Sequence, residues 1–107
     1  MTADPPFFNQ LYDLLVARKT SSPETSYVAR LHRQGIDKIL QKVGEEAVET
    51  ILAAKNGEVQ SMIHETADLW FHTLVMLAHL NLHPDRIVDE LIRRHRAAGR
   101  DEGEGIA

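Results

Sequence analysis

The chain has 107 residues, 43% of them apolar and 26% charged, the size and balance of one folded domain, which excludes disorder throughout and leaves no room for a second domain. Twelve Lys and Arg against sixteen Asp and Glu give a net charge of −4, the opposite of the basic surface that a general nucleic-acid binder needs. There is no cysteine, so disulfides, thiolate metal sites and cysteine nucleophiles are excluded together.

Met1 to Phe8 has no basic segment leading into an apolar one, so no secretory signal is expected. Helical periodicity runs through almost the whole chain and strand-like alternation is nearly absent. Asp4-Pro5-Pro6 opens a first helix of roughly Phe7 to Lys19, with Phe8, Leu11, Leu14 and Leu15 at helical spacing. Thr20 to Thr25 is polar and reads as a loop, followed by a short helical piece from Ser26 to Arg33 that stops before Gly35.

Ile36 to Lys55 is the most regular segment, its Ile36, Ile39, Leu40, Val43, Ala47 and Ile51 forming one apolar stripe. Gly44 interrupts it at a cost of about 1 kcal/mol relative to Ala, which a close approach by another backbone or a ligand would explain. Asn56-Gly57 reads as a left-handed helix end, not a hairpin turn, because helical patterns flank it on both sides. Glu58 to Asn81 is apolar over most of its circumference, and Trp70 and Phe71 read as core. Its Leu74–Leu80 run is cut off by polar residues too soon to span a membrane, so a soluble, cytoplasmic protein is expected. Pro84 starts a last helix through about Arg96. The Gly- and acid-rich stretch 97–107 reads as a frayed tail behind a domain of residues 1–96. The expected fold is all-α: four main helices and a short helical piece, in a bundle completed by dimerisation because so small a core gains from burial against a second copy.

The carboxylates are the chemically informative feature. Glu45, Glu46 and Glu49 lie on the second long helix, Glu65 and Asp68 on the third, and both Glu46/Glu49 and Glu65/Asp68 are spaced i,i+3, so each pair projects from one side of its helix. If the two apolar stripes pack as antiparallel neighbours, the acids meet at the rim of the seam. Such a cluster repels itself unless a cation compensates, and a hard divalent ion with oxygen ligands, Mg²⁺, both does so and carries phosphate oxygens. Lys42 precedes Glu46 by four residues and Glu49 by seven; with Lys38 one turn earlier and Lys55 near the helix end, it supplies charge for phosphate. The alternative is a solvated Glu/Lys face with weak i,i+4 pairs, but acids on so apolar a helix as Glu58–Asn81 need a reason.

His72 shares a face with Glu65 and Asp68, either as a group bonded to a metal-holding carboxylate or as a core histidine satisfied by a carbonyl. His79 reads as structural. His64-Glu65-x-x-Asp68 echoes the zinc-protease pattern without a third ligand, and no Glu has His three residues on, as a di-iron bundle requires. Arg93, Arg94 and Arg96 complement a helix C-terminus or reach phosphate from a partner chain.

Lys38-Ile39, Gln41 through Glu49, Ala53-Ala54-Lys55-Asn56-Gly57 and Glu65-Thr66-Ala67-Asp68-Leu69-Trp70-Phe71-His72, with Ser26-Tyr27 before them, closely resemble the phosphoribosyl-ATP pyrophosphohydrolase family of the MazG-like all-α NTP pyrophosphatases. The resemblance covers about residues 8–95. It implies Mg²⁺-dependent hydrolysis of phosphoribosyl-ATP to phosphoribosyl-AMP and pyrophosphate, the second step of histidine biosynthesis, by a homodimer or higher assembly, with neither nucleic acid nor membrane as partner. It implies metal on Glu46, Glu49, Glu65 and Asp68, with Glu45 either the catalytic group that orients the attacking water or a further ligand; Lys38, Lys42 and Lys55 then meet the phosphates, and Tyr27 and Arg30, in the resembling segment, are further substrate contacts. The alternatives are a house-cleaning pyrophosphatase of noncanonical nucleotides and a non-catalytic helical interaction module.

Overall fold

The computed structural model describes residues 6–101; Asp4, Pro5 and the tail from 102 onward lie outside them. Five helices follow in order: α1 Phe7–Ala17, α2 Tyr27–Gln34, α3 Ile36–Asn56, α4 Val59–His79 and α5 Pro84–Asp101, with a 3-10 turn over Arg18–Thr20 between α1 and α2. No strand occurs among the described residues, and none of their helices is long and apolar enough to cross a membrane. Three ends differ from the sequence expectation by more than one residue, and α4 has one of them, stopping at His79 instead of Asn81. The first helix tightens into the 3-10 turn at Arg18 instead of running on as α-helix to Lys19. The last continues past Arg96 to Asp101 because Ala97 and Ala98 are strong helix formers and Ala98 is buried.

The helix ends set the topology. Ser26 caps α2, its hydroxyl accepting a hydrogen bond from the Ala29 N–H at 3.1 Å. Gly35 alone separates α2 from α3; its φ of 98° is one that a side chain would strain. Gly57 closes α3 at φ 72°, its N–H reaching the Ala53 and Ala54 carbonyls, and only Glu58 then precedes α4. So short a link folds α3 and α4 back as an antiparallel pair, the main packing of the molecule. α4 ends in a Schellman motif: Leu82 N–H bonds the Leu77 carbonyl at 2.9 Å, Asn81 N–H bonds that of Ala78 at 3.2 Å, and Asn81 takes the left-handed conformation.

Leu15, Leu31, Ile39 and Val75, from four different helices, are the fully buried centre, joined by Tyr12, Val28, Leu74, Leu77 and Ala78. This core sits where α3 begins and α4 finishes. Towards Gly57 the pair has only Ala53 buried, and Val48, Ile51, Leu52, Val59 and Ile63 are exposed. The stripe read from the sequence as one continuous core is therefore covered only along its first turns, because α1 and α2 do not reach further. Trp70, expected in the core, is 57% exposed; it lies edge-on to Phe8 in an apolar surface that also includes Phe7, Leu11 and Ala67. Phe71 packs against the core as expected. Among the described residues, nothing lies within 4 Å of where a Gly44 side chain would stand, so no close approach within the chain accounts for that glycine.

Candidate functional site

The antiparallel pairing brings the two acidic pairs together. Carboxylate oxygens of Glu46, Glu49 and Glu65 lie within 4.8 Å of one another, and so do ligand atoms of His64, Glu65 and Asp68. Glu65 belongs to both groups and joins them into one acidic site. Thr50 pins the register: its hydroxyl donates to the Glu46 carbonyl on its own helix at 2.8 Å and reaches the Glu65 carbonyl across the seam at 3.1 Å. Burial, then the charge of Glu49, pushes the Glu65 carboxyl above the usual range, as expected where like charges are held together.

Glu46 is only 6% exposed, and its Oε1 has no hydrogen-bond partner. Its other oxygen is 3.5 Å from Lys42 Nζ, which also lies 3.3 Å from Glu45. Burial opposes the charge on Lys42, but its hydrogen bond to Glu45 and the surrounding negative potential outweigh this and hold its pKa above the ordinary value. Glu45 is exposed and is held below the usual carboxylate range by a hydrogen bond from Gln41, at 2.8 Å, and by Lys42.

One wall of the site is a hydrogen-bonded chain between α2 and α4. His72, 5% exposed, has Nδ1 2.8 Å from the main-chain carbonyl of Asp68 and Nε2 2.7 Å from the Tyr27 hydroxyl. A carbonyl only accepts, so Nδ1 carries the proton, Nε2 is the bare acceptor and Tyr27 donates to it. His72 therefore fixes the helix turn beneath Asp68 and the Tyr27 ring without touching a carboxylate. Burial, with the charges of Glu46, Asp68 and Glu45 outweighing the opposing effect of Lys42, keeps the Tyr27 phenol above its ordinary pKa and so protonated. Arg30 is tied to the Pro23 carbonyl at 2.9 Å and stands 5.8 Å over the Tyr27 ring.

The structure thus brings together Glu45, Glu46, Glu49, Glu65, Asp68, Lys42, Tyr27 and His72, with Arg30 behind Tyr27. Lys38 acts only through its field on Glu45. Lys55 is six residues beyond Glu49, about 9 Å along the helix, and among the described residues it makes no hydrogen bond or ion pair to the acids. Arg93 and Arg94 are committed to Glu90 at 2.6 and 2.8 Å, which pulls its carboxyl down to about 2. Three contributors escaped the sequence reading. Gln41 and Thr50 are ordinary helix residues whose roles appear only with their partners. His64, set aside as a zinc ligand, lies 3.5 Å from the Asp68 carboxylate, a contact its i,i+4 spacing would have suggested.

Four carboxylates, one with a buried, unpartnered oxygen, and a single exposed histidine beside them make an oxygen-dominated donor set, which fits a hard divalent cation. Residues 8–95 match the family model described as phosphoribosyl-ATP pyrophosphohydrolase, a span that contains the whole of this site.

Proposed function

The chain belongs to the phosphoribosyl-ATP pyrophosphohydrolase family, and is accordingly a phosphoribosyl-ATP diphosphatase of histidine biosynthesis, a hydrolase acting on a phosphoanhydride; from this premise we propose how its residues do the work. The reaction is attack of water on the α–β anhydride of phosphoribosyl-ATP, releasing phosphoribosyl-AMP and pyrophosphate, with magnesium held by Glu46, Glu49, Glu65 and Asp68. The observation that carries this reading is Glu46: a buried carboxylate with an orphan oxygen beside two other carboxylates is costly unless a cation completes it. Bound there, Mg²⁺ supplies neutralisation of the charge developing on the phosphates and activation of water.

The chain's own groups do the rest. Lys42 stays protonated and offers its ammonium to a phosphate oxygen, with Lys38 a turn behind it. Glu45 is held ionised and reaches solvent, so it accepts a hydrogen bond from the attacking water and keeps it in line; its lowered pKa makes it a better orienter than a proton sink. Tyr27 keeps its proton and spends it on His72, so its oxygen faces the site as an acceptor, suited to a ribose hydroxyl or a water. Arg30 stiffens Tyr27 from behind.

The apolar face of the exposed Phe7, Phe8, Ile63 and Trp70, with the half-buried Met62 among them, fits burial against a second copy, and a homodimer is part of this proposal. Pyrophosphate release from phosphoribosyl-ATP tests the chemistry. It should need Mg²⁺, stop in EDTA, and fall at least about 100-fold in Glu49→Gln or Asp68→Asn. Activity that survives EDTA and both substitutions overturns the assignment. Light scattering of the protein and of Trp70→Glu tests the dimer.

A further inference from the structure

A second polar pocket lies on the far flank of α2. It has a volume of about 280 Å³ and is lined by Lys19, Ser21, Pro23, Ala29, His32, Arg33 and His79. No acid is among them, in a chain whose net charge is −4. Taking roughly 100° per residue, Ala29, His32 and Arg33 point about 140–240° round α2 from Tyr27, so the pocket opens away from the carboxylates.

Its floor is a histidine pair. The His32 and His79 rings stack 5.2 Å apart at 16°, with their Nδ1 atoms 2.9 Å from each other and His32 Nε2 3.0 Å from the Leu15 carbonyl. The carbonyl requires a proton on His32 Nε2, which leaves His32 Nδ1 as the acceptor and makes His79 Nδ1 the donor. That ties up both nitrogens of His32 and, among the described residues, leaves the Nε2 of His79 without a partner. Burial, then His79 and Lys19, keep His32 below its usual pKa despite the bond to Leu15. Lys19 is anchored beside it, 2.7 Å from Asn81 Oδ1 and 3.5 Å from the His79 carbonyl, with a third N–H to spare. Arg33 is exposed and, among the described residues, has no hydrogen bond or ion pair.

We propose that this pocket, between the 3-10 turn, α2 and the end of α4, binds a phosphate-class anion, with Lys19 and Arg33 as its charged donors and the Ser21 hydroxyl and the His79 ring beside them. Two cationic donors around one concavity without an acid suit a doubly charged oxyanion. The volume, at the lower edge of small-molecule pockets of about 300–1,000 Å³, suits inorganic phosphate or a sugar phosphate, not a whole nucleotide.

The test is titration of the full-length protein with inorganic phosphate and with ribose 5-phosphate, in magnesium and again in EDTA, while the imidazole nitrogens of His32, His72 and His79 are followed by NMR. The expected result is a saturable shift of His79 and His32 in both media, with half-saturation on the order of 1 mM, and no matching shift of His72. Saturation by phosphate alone assigns the free anion; tighter saturation by ribose 5-phosphate assigns a sugar phosphate. Arg33→Gln, at an exposed side chain with no partner to lose, should weaken binding about tenfold, and Lys19→Gln should do so again. Shifts that fail to saturate, that follow His72 and vanish in EDTA, or that are unchanged in both variants overturn the proposal, and none of these results bears on pyrophosphate release at the acidic site.

Discussion

Replacing Tyr27 by Phe removes one hydroxyl and tests the wall between α2 and α4. In the native protein Tyr27 donates to His72 Nε2 at 2.7 Å. Loss of a neutral hydrogen bond costs about 0.5–1.5 kcal/mol, and leaving a buried acceptor unsatisfied costs about 1–3 kcal/mol. His72 is almost wholly buried, which argues for the larger figure, but Tyr27 is 40% exposed, so water can reach part of the gap. The expected loss is about 1–2 kcal/mol, or roughly 4–8 °C of melting temperature per kcal/mol in a domain of this size. Thermal unfolding at a fixed protein concentration measures it. A double-mutant cycle with His72→Leu should return a coupling of about 1 kcal/mol. In wild type, ¹⁵N NMR should find the His72 proton on Nδ1, since Asp68 offers that nitrogen only a carbonyl. A proton found on Nε2, or a Tyr27→Phe protein as stable as wild type, would refute the bonded chain and with it the orientation assigned to the Tyr27 oxygen.

Three further substitutions probe the acidic site. Glu46→Gln should lower pyrophosphate release at least about 100-fold while leaving the metal-free protein no less stable, because it removes a buried charge and Lys42 keeps Glu45 as partner; urea unfolding in EDTA alongside the assay separates the two effects. Glu65 has its pKa raised by burial and Glu49, so its protonated form is favoured on folding. Its contribution is present below the usual carboxylate value and lost as pH rises through the shifted one. Metal-free Glu65→Gln should therefore show a smaller gain in stability than wild type as the pH falls from neutrality towards about 4.5, measured by unfolding at each pH. Gly44→Ala should stabilise α3 by about 0.5–1 kcal/mol, since nothing crowds the position; an active, more stable variant means that neither substrate nor a second chain comes close there, and an inactive one means that one of them does.

Much of the site was legible in the sequence because it depends on short-range geometry. Spacings of three fix which side of a helix Glu46/Glu49 and Glu65/Asp68 occupy, and Gly57 forces the two helices to fold back on each other, so convergence needed only one packing assumption. The Tyr27–His72 and His32–His79 bonds were not legible. They join residues 45 and 47 positions apart on helices separated by a loop and by α3, and no periodicity encodes such a meeting. The exposure of Trp70 escaped for a related reason: periodicity marks a face as apolar but does not say whether the chain supplies something to cover it.

The incomplete cover also accounts for where the carboxylates sit. Taking an ionised carboxylate wholly out of water is prohibitive unless it is paired, so four of them cannot lie beneath a sealed core. The α3–α4 pair offers a border instead: on one side His72, Leu74 and Ile39 are buried, on the other only Ala53 is, and Glu46, Glu49, Glu65 and Asp68 lie along the transition. Glu49 stays exposed and Glu65 and Asp68 half-buried, so the field of bulk water still screens them. Glu46 alone crosses to the buried side, and there Lys42 comes within 3.5 Å of one oxygen and leaves the other open. A core extended evenly to Gly57 would have made the cluster too costly to form, and one that stopped a turn earlier would have left Glu46 in water with no unmet demand for a cation.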